Sequence, residues 1–298
     1  MCGIAGLHLR EPALYPRLGE LLTTMLGQLV ERGPDSAGVA VYGDPRMSPP
    51  GSAAVSVLSA DLPVRRVTDL VAAQLGSPVG VYDAGATRVV HAATPVDALV
   101  QAVRDALPQA LVVGSGYDLA VLKGVGHPDD LADEFGLRQA HGWQGVAHTR
   151  MATESAVTSS GSHPFSVGPD QCLVHNGSFA NHATIRRQLR AEGVVFDSEN
   201  DSEVGARFVA RQLADGADLE KALRLLCERF DGFYTLLVTT SEEFAVVRDA
   251  IACKPAIVAE TPQWVAMASE YRALAGLPGV ERARIIEPEP EEVYVWKR

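Results

Sequence analysis

The chain is 298 residues long, 47% hydrophobic and 21% charged, with a formal net charge of −11. This length can bury a large core, and the acidic balance, with no run of Lys or Arg, argues against nucleic acid or an anionic membrane as a main partner. No segment reaches 18 apolar residues, so no membrane span is expected. No basic stretch leads into an apolar one at the N-terminus, so no secretory signal is expected either.

The four cysteines, Cys2, Cys172, Cys227 and Cys253, have neither metal-ligand spacing nor the density of a disulfide framework. They point to the reducing cytoplasm, with no metal site and with Cys172, Cys227 and Cys253 as small buried hydrophobes.

Cys2 to Leu9 reads as a strand, broken at Glu11-Pro12. Leu18, Leu21, Leu22, Met25, Leu26 and Leu29 recur at helical spacing and predict an amphipathic helix, stopped at Glu31-Arg32-Gly33-Pro34. Arg32-Gly33-Pro34-Asp35-Ser36 then forms a tight loop at the head of a strand, Val39 to Tyr42. Beyond it, helices are predicted over 64–75 and 95–106 and strands over 79–82, 88–92, 111–113 and 119–122. Gly114-Ser115-Gly116 reads as a hairpin turn; position 119 is Leu and no long helix follows, so it is not a dinucleotide loop. A short helix spans 128–135, with Asp129 and Asp130 at its positive end.

The densest polar stretch follows. Gly145 to Arg150 is a strand running into a loop through Ser155, and Ser159 to Phe165 is loop. Cys172 to His175 is a strand and Asn176-Gly177 a turn, with a helix after it at 181–192 whose Arg186, Arg187 and Arg190 make a solvated basic face. A helix through Leu213 opens near Asp201, with Asp201 or Ser202 as N-cap, and another spans 219–230. Strands at 233–239, 243–248, 256–259 and 264–268, a short helix at 269–275, and strands at 285–286 and 293–296 close the chain. The count is about ten strands and six or seven helices, with no internal repeat.

Cys2 follows the initiator methionine directly. Aminopeptidases remove Met before a small residue, and Cys is small. The product carries a thiol and a free α-amine on one residue. That amine, with an ordinary pKa of about 7.7–8.0, can act as base for its own thiol, as it does for an N-terminal Thr nucleophile.

Five stretches, in this order, resemble the class II glutamine amidotransferases, the branch of N-terminal-nucleophile hydrolases that uses Cys. They are Met1-Cys2-Gly3-Ile4, Arg32-Gly33-Pro34-Asp35-Ser36, His148-Thr149-Arg150-Met151-Ala152-Thr153, His175-Asn176-Gly177 and Asn200-Asp201-Ser202-Glu203. Each is weak alone; the ordered set is specific and covers nearly the whole chain. The resemblance implies Cys2 as nucleophile, with the Asn176 side chain and the Gly177 N–H as oxyanion donors. It implies Arg150 for the α-carboxylate of glutamine, Asp201 for its α-ammonium and Thr153 beside it, with Arg32, Asp35 and His163 supporting the site. The pattern departs from the family at Met151, Glu154 and Phe165, where Trp, His and another residue are usual, which bears on the loop covering the glutamine.

The implied fold is α+β: a four-layer αββα sandwich of two mainly antiparallel sheets. Residues 1–298 are expected to form one domain, with 44–145 as a long insertion that elaborates one edge. The spacer, Gly126-His127-Pro128, Met151 to Thr158 and Ala268 to Leu274 resemble stand-alone subunits related to glutamate synthase, nearest to N-methylglutamate synthase-type complexes. That resemblance implies no cofactor on this chain, and flavin and an iron–sulfur cluster on a separate synthase subunit that receives the nitrogen. Two other readings stay open: a catalytically silent glutamine-binding or scaffold subunit, and an amidase or acylase acting on another substrate.

Overall fold

A computed structural model describes residues 2–59, 62–151 and 157–298. In chain order the strands are β1 (Gly3–Leu9), β2 (Ser36–Tyr42), β3 (Ala53–Leu58), β4 (Gly80–Ala84), β5 (Thr87–Ala92), β6 (Leu111–Gly116), β7 (Leu119–Val125) and β8 (Gln144–Arg150). They continue with β9 (Cys172–Phe179), β10 (Gly232–Thr239), β11 (Glu243–Arg248), β12 (Ile257–Glu260), β13 (Trp264–Ala268), β14 (Arg284–Ile286) and β15 (Val293–Lys297). The helices are α1 (Leu18–Gly27), α2 (Val64–Leu75), α3 (Val96–Ala106), α4 (Pro128–Glu134), α5 (His182–Ala191), α6 (Asp201–Ala214), α7 (Leu219–Arg229) and α8 (Tyr271–Leu274).

Three sheets form, where the sequence suggested two. A seven-stranded sheet runs β14-β12-β13-β1-β8-β2-β7, a four-stranded sheet β15-β11-β10-β9, and a second four-stranded sheet β4-β5-β3-β6. The first two make the sandwich. Strand β1 shows why: it is buried on both faces, and its side chains alternate between two cores. Ala5, Leu7 and Leu9 meet the leucines of α1, whereas Ile4 packs between the sheets with Val174, Leu237 and Phe244. Gly6 also faces the gap, and a Cβ there would lie 2.4 Å from Leu237. The far face of β9, β10 and β11 carries Leu173, Phe179, Leu236 and Val247 against α5, α6 and α7. The layers are therefore helix, sheet, sheet, helix.

The third sheet is built on β3, which the sequence reading did not single out, and carries α2 and α3 over a core of Val55, Val57, Val67, Val71, Leu99 and Val103. It sits beside β7, the edge of the seven-stranded sheet. An edge strand exposes unpaired backbone groups. Here Ser56 Oγ accepts from Val121 N (2.9 Å), while Thr87 Oγ1 accepts from Lys123 N (3.0 Å) and donates to Lys123 O (3.0 Å). Two buried hydroxyls thus stand in for a missing strand.

Several local expectations are corrected. Gly114-Ser115-Gly116 is the end of β6, not a hairpin turn, since β6 and β7 join different sheets. Asn176-Gly177 is not a turn: β9 runs through it in unbroken register with β10, Gly177 facing Tyr234. The N-cap of α6 is Asn200, whose side chain accepts from Ser202 N at 2.9 Å, rather than Asp201 or Ser202. Among the described residues there are fifteen strands and eight α-helices, more than the pattern suggested. Of the three cysteines expected to be buried, only Cys172 is; Cys227 is half-buried and Cys253 exposed. Among the described residues no helix is long and apolar enough to cross a membrane.

Candidate active site

Sheet register gathers the motifs at one end of the sandwich. Gly3 pairs with Thr149, and Ser36 with Arg150, so the start of β1, the end of β8 and the start of β2 are level. The alternation that puts Ile4 between the sheets puts Cys2 at the mouth of the same gap. A cleft of about 350 Å³ opens there, and Cys2, Arg32, Arg150, His163, Asn176, Gly177 and Asp201 all line it.

The Cys2 backbone is held from two sides. Its carbonyl accepts from Arg32 Nε (3.0 Å) and from Asn176 Nδ2 (3.0 Å). Arg32 is anchored in turn by Glu270 at 2.6 Å. The next turn of backbone is tied to Ser269, whose Oγ accepts from Ile4 N at 2.9 Å and whose N–H donates to Ile4 O at 2.9 Å.

The loop after Arg32 closes on β8 through backbone contact. Gly33 is needed there, since a Cβ would lie 2.5 Å from Arg150 N. Asp35 N donates to Arg150 O at 3.2 Å. Asp35 supports the strand end and does not line the cleft. Arg150 itself reaches into the cleft and donates to Gly161 O at 3.2 Å. Thr153, expected beside the substrate, lies outside the described residues.

Across the gap, β9 is the edge strand of its sheet. Its ladder turns the backbone groups of Leu173 outward to Phe165, and Phe179 N outward to Asp201 Oδ2 at 2.9 Å. Gly177 has the same parity, so its N–H stands on the open edge facing the cleft. Its φ is +140°, and a Cβ would lie 1.9 Å from Phe233 O, so only glycine fits.

Asp201 is placed at the first turn of α6, where the helix N-terminus favours its charge. The loop leading to it is clamped by Arg186, which donates to Ser198 O (2.5 Å) and Asn200 O (2.9 Å). This corrects the sequence reading: Arg186 is not on a solvated face but 4% exposed.

Three imidazoles line the floor. His163 Nε2 and His175 Nδ1 both meet Ser202 Oγ, at 2.9 and 2.8 Å, and His148 packs against His163 with ring centroids 4.2 Å apart and planes tilted by 41°. Burial pushes His148 down to about 3 and His175 to about 4, and His163 well below its ordinary value, so all three are neutral near pH 7. Lys254 adds a cation at the rim, its ammonium 5.1 Å from the centroid of the Phe233 ring.

His148, His175, Ser202, Lys254, Ser269 and Glu270 were not singled out as site residues from sequence. Two signals existed: His148 and His175 open the quoted motifs, and the period of two in a strand sends each toward a buried face. Ser269 and Glu270 fall in the stretch from Ala268 to Leu274, whereas Lys254 carried no such signal. Among the described residues no group of three His, Cys, Asp or Glu side chains is disposed to hold a metal.

Residues 148–276 match the glutamine amidotransferase domain family. The glutamine amidotransferase-like protein GlxB of Rhizobium meliloti (strain 1021) is 46% identical over 301 residues, 99% of this chain and 98% of that protein. The chain belongs to the glutamine amidotransferase family. The amidotransferase also shares 33% identity over 134 residues with the glutamine–fructose-6-phosphate aminotransferase of Thermococcus kodakarensis, 45% of this chain but 22% of that larger protein. Its fold matches that of the glutamine phosphoribosylpyrophosphate amidotransferase of B. subtilis with a TM-score of 0.62, at 18% identity, over 99% of this chain and 47% of the other. The sandwich, with Cys2 at the head of its central strand, is that of a class II glutamine amidotransferase.

Proposed function

We propose that this amidotransferase hydrolyses the side-chain amide of free glutamine through a thioester on Cys2 and hands the nitrogen to a separate synthase subunit. One observation carries the chemistry: Cys2, Asn176, Gly177, Arg150 and Asp201 share a single cleft although they come from four separate parts of the chain, the head of β1, the end of β8, β9 and the start of α6.

In this reading Met1, which lies outside the described residues, is removed and the freed α-amine takes the Cys2 thiol proton. The thiolate attacks the glutamine Cδ, and the carbonyl electrons move onto its oxygen. Asn176 Nδ2 and the outward N–H of Gly177 receive that oxyanion; such donors typically give about 10²–10³-fold in rate each. The α-ammonium returns its proton to the leaving nitrogen, the C–N bond breaks and ammonia departs. Water, deprotonated by the same amine, then attacks the thioester, releasing glutamate and restoring the thiol. Arg150 takes the substrate α-carboxylate as a bidentate fork and Asp201 its α-ammonium. With both the α-carboxylate and the α-ammonium bound, free glutamine is selected over peptide-bound glutamine.

The acceptor subunit in this reading resembles that of glutamate synthase or N-methylglutamate synthase and carries flavin and an iron–sulfur cluster, with no cofactor on this chain. The support is the stretch from Ala268 to Leu274, which carries that resemblance and lies against β1 through Ser269, with Glu270 anchoring the Arg32 that holds the Cys2 carbonyl. The test is affinity capture from the native host followed by a glutaminase assay on the assembled complex. A flavin- and iron–sulfur-containing partner and glutamate release are expected. Glutamine binding without glutamate release, with the partner bound, would establish the silent-subunit reading instead.

A further inference from the structure

We propose that His148 is a positioning residue for the oxyanion donor: its Nε2–H reaches across the gap between the sheets to Asn176 Oδ1 and fixes which end of that amide faces Cys2. The proposal rests on the role given to Asn176 above.

The two residues lie on different sheets, His148 on β8 and Asn176 on β9, and their side chains meet at 3.2 Å. An amide can sit in its site either way round, and only one orientation presents hydrogens to a developing oxyanion. Here the orientation is set by three neighbours. Cys2 O can only accept, and it takes a hydrogen from Asn176 Nδ2 at 3.0 Å. Ser269 Oγ, which accepts from Ile4 N, lies 3.3 Å from the same nitrogen. Asn176 Oδ1, turned the other way, can only accept, so His148 must carry its proton on Nε2.

The rest of the His148 environment fits that tautomer. Its Nδ1 is buried and has no hydrogen-bond partner among the described residues, so a proton there would be an unsatisfied donor. The ring is 1% exposed and packs against His163, the two rings tilted by 41° with centroids 4.2 Å apart. His148 lies on the floor of the cleft, and its side-chain hydrogen bond there goes to Asn176.

The test compares His148→Gln, which places an amide N–H near the Nε2 position, with His148→Asn, which places one near Nδ1, and His148→Leu, which has none. The readouts are kcat and KM for glutamine, affinity for the aldehyde analogue of glutamine, whose hemithioacetal with Cys2 puts an oxygen in the oxyanion position, and affinity for glutamate. We expect His148→Gln to stay within about threefold of the native protein. His148→Asn and His148→Leu should each lose about 10–100-fold in kcat and in aldehyde affinity, less than deletion of a donor outright, with KM and glutamate affinity changed less than about twofold. Equal losses in the Gln and Asn variants, or a parallel loss of glutamate affinity, would overturn the proposal. If the native protein neither releases glutamate nor captures the aldehyde, the reading of the site itself fails, and that is known before any variant is made. If the variants do not fold, nitrogen-15 spectra of the native protein decide: His148 should be the Nε2–H tautomer, and an Nδ1–H tautomer would overturn the inference.

Discussion

Replacing Asp201 by Asn changes one charge and little else. The Asn oxygen can still accept from Phe179 N, which Asp201 Oδ2 does at 2.9 Å, and the N-cap of α6 belongs to Asn200 and is untouched. Loss of a carboxylate from the first turn of a helix costs up to about 1 kcal/mol, so the fold should survive. On the proposed reading, however, the substrate ammonium loses its anion. A hydrogen bond to a charged group is worth about 1.5–3 kcal/mol, or about 10- to 150-fold in an equilibrium constant. The proposed reaction centre, Cys2 with Asn176 and Gly177, is not altered. Asp201→Asn should therefore raise KM for glutamine, or slow Cys2 labelling by a diazoketone analogue of glutamine, by about 10- to 150-fold. Labelling by the same reagent lacking its α-amine should be slow in both proteins and equal within about threefold. If Asp201→Asn still discriminates between the two reagents as the native protein does, Asp201 does not bind the ammonium.

Three further outcomes follow from the geometry. His148 and His175 titrate at about 3 and about 4 in the folded protein because burial disfavours their charged forms, against about 6.5 in the unfolded chain. Their stabilising contribution is complete above pH 6.5 and is lost as pH falls toward 4, so urea titration at pH 5 should show about 2 kcal/mol less stability per histidine than at pH 7; a flat profile over that window would contradict neutral burial. Gly177→Ala at φ +140° drives a Cβ into Phe233 O, and should cost about 3 kcal/mol by thermal or urea unfolding and abolish labelling of Cys2; native-like stability would refute the strand geometry. Arg186→Met keeps the bulk of the side chain but strips two half-buried carbonyls of their donor. It should cost about 2–3 kcal/mol and raise KM for glutamine through the loop that presents Asp201, and an unchanged KM would separate that clamp from the site.

Much of the sandwich was legible because its elements announce their own period. The leucines of α1 fall at helical spacing, and the flanking Pro and Gly mark its end. The motifs were legible for a related reason: Cys2, Arg150 and Asp201 sit where strands end or a helix begins, and such junctions are written in short polar stretches. Asn176-Gly177 misled because the same dipeptide that makes a hairpin turn also lets an edge strand pass within contact of its neighbour's carbonyl. The fate of Arg186 could not be read from its own helix. Two arginines nearby are exposed, and only the carbonyls of the 198–200 loop, brought in from another element, make a buried place for the third. The histidine network was hidden in the same way, since His148, His163 and His175 meet through Ser202 and Asn176 only once two sheets face each other.

The central claim is that Cys2, freed of Met1, is the nucleophile. Intact-protein mass spectrometry of the chain purified from its host, before and after treatment with an electrophilic glutamine analogue, tests it most directly. The account predicts a chain that lacks Met1 and gains one adduct, mapped to Cys2 and suppressed by excess glutamine. Glutaminase activity from a chain that retains Met1, or an adduct on Cys253 or elsewhere with Cys2 unmodified, would contradict it.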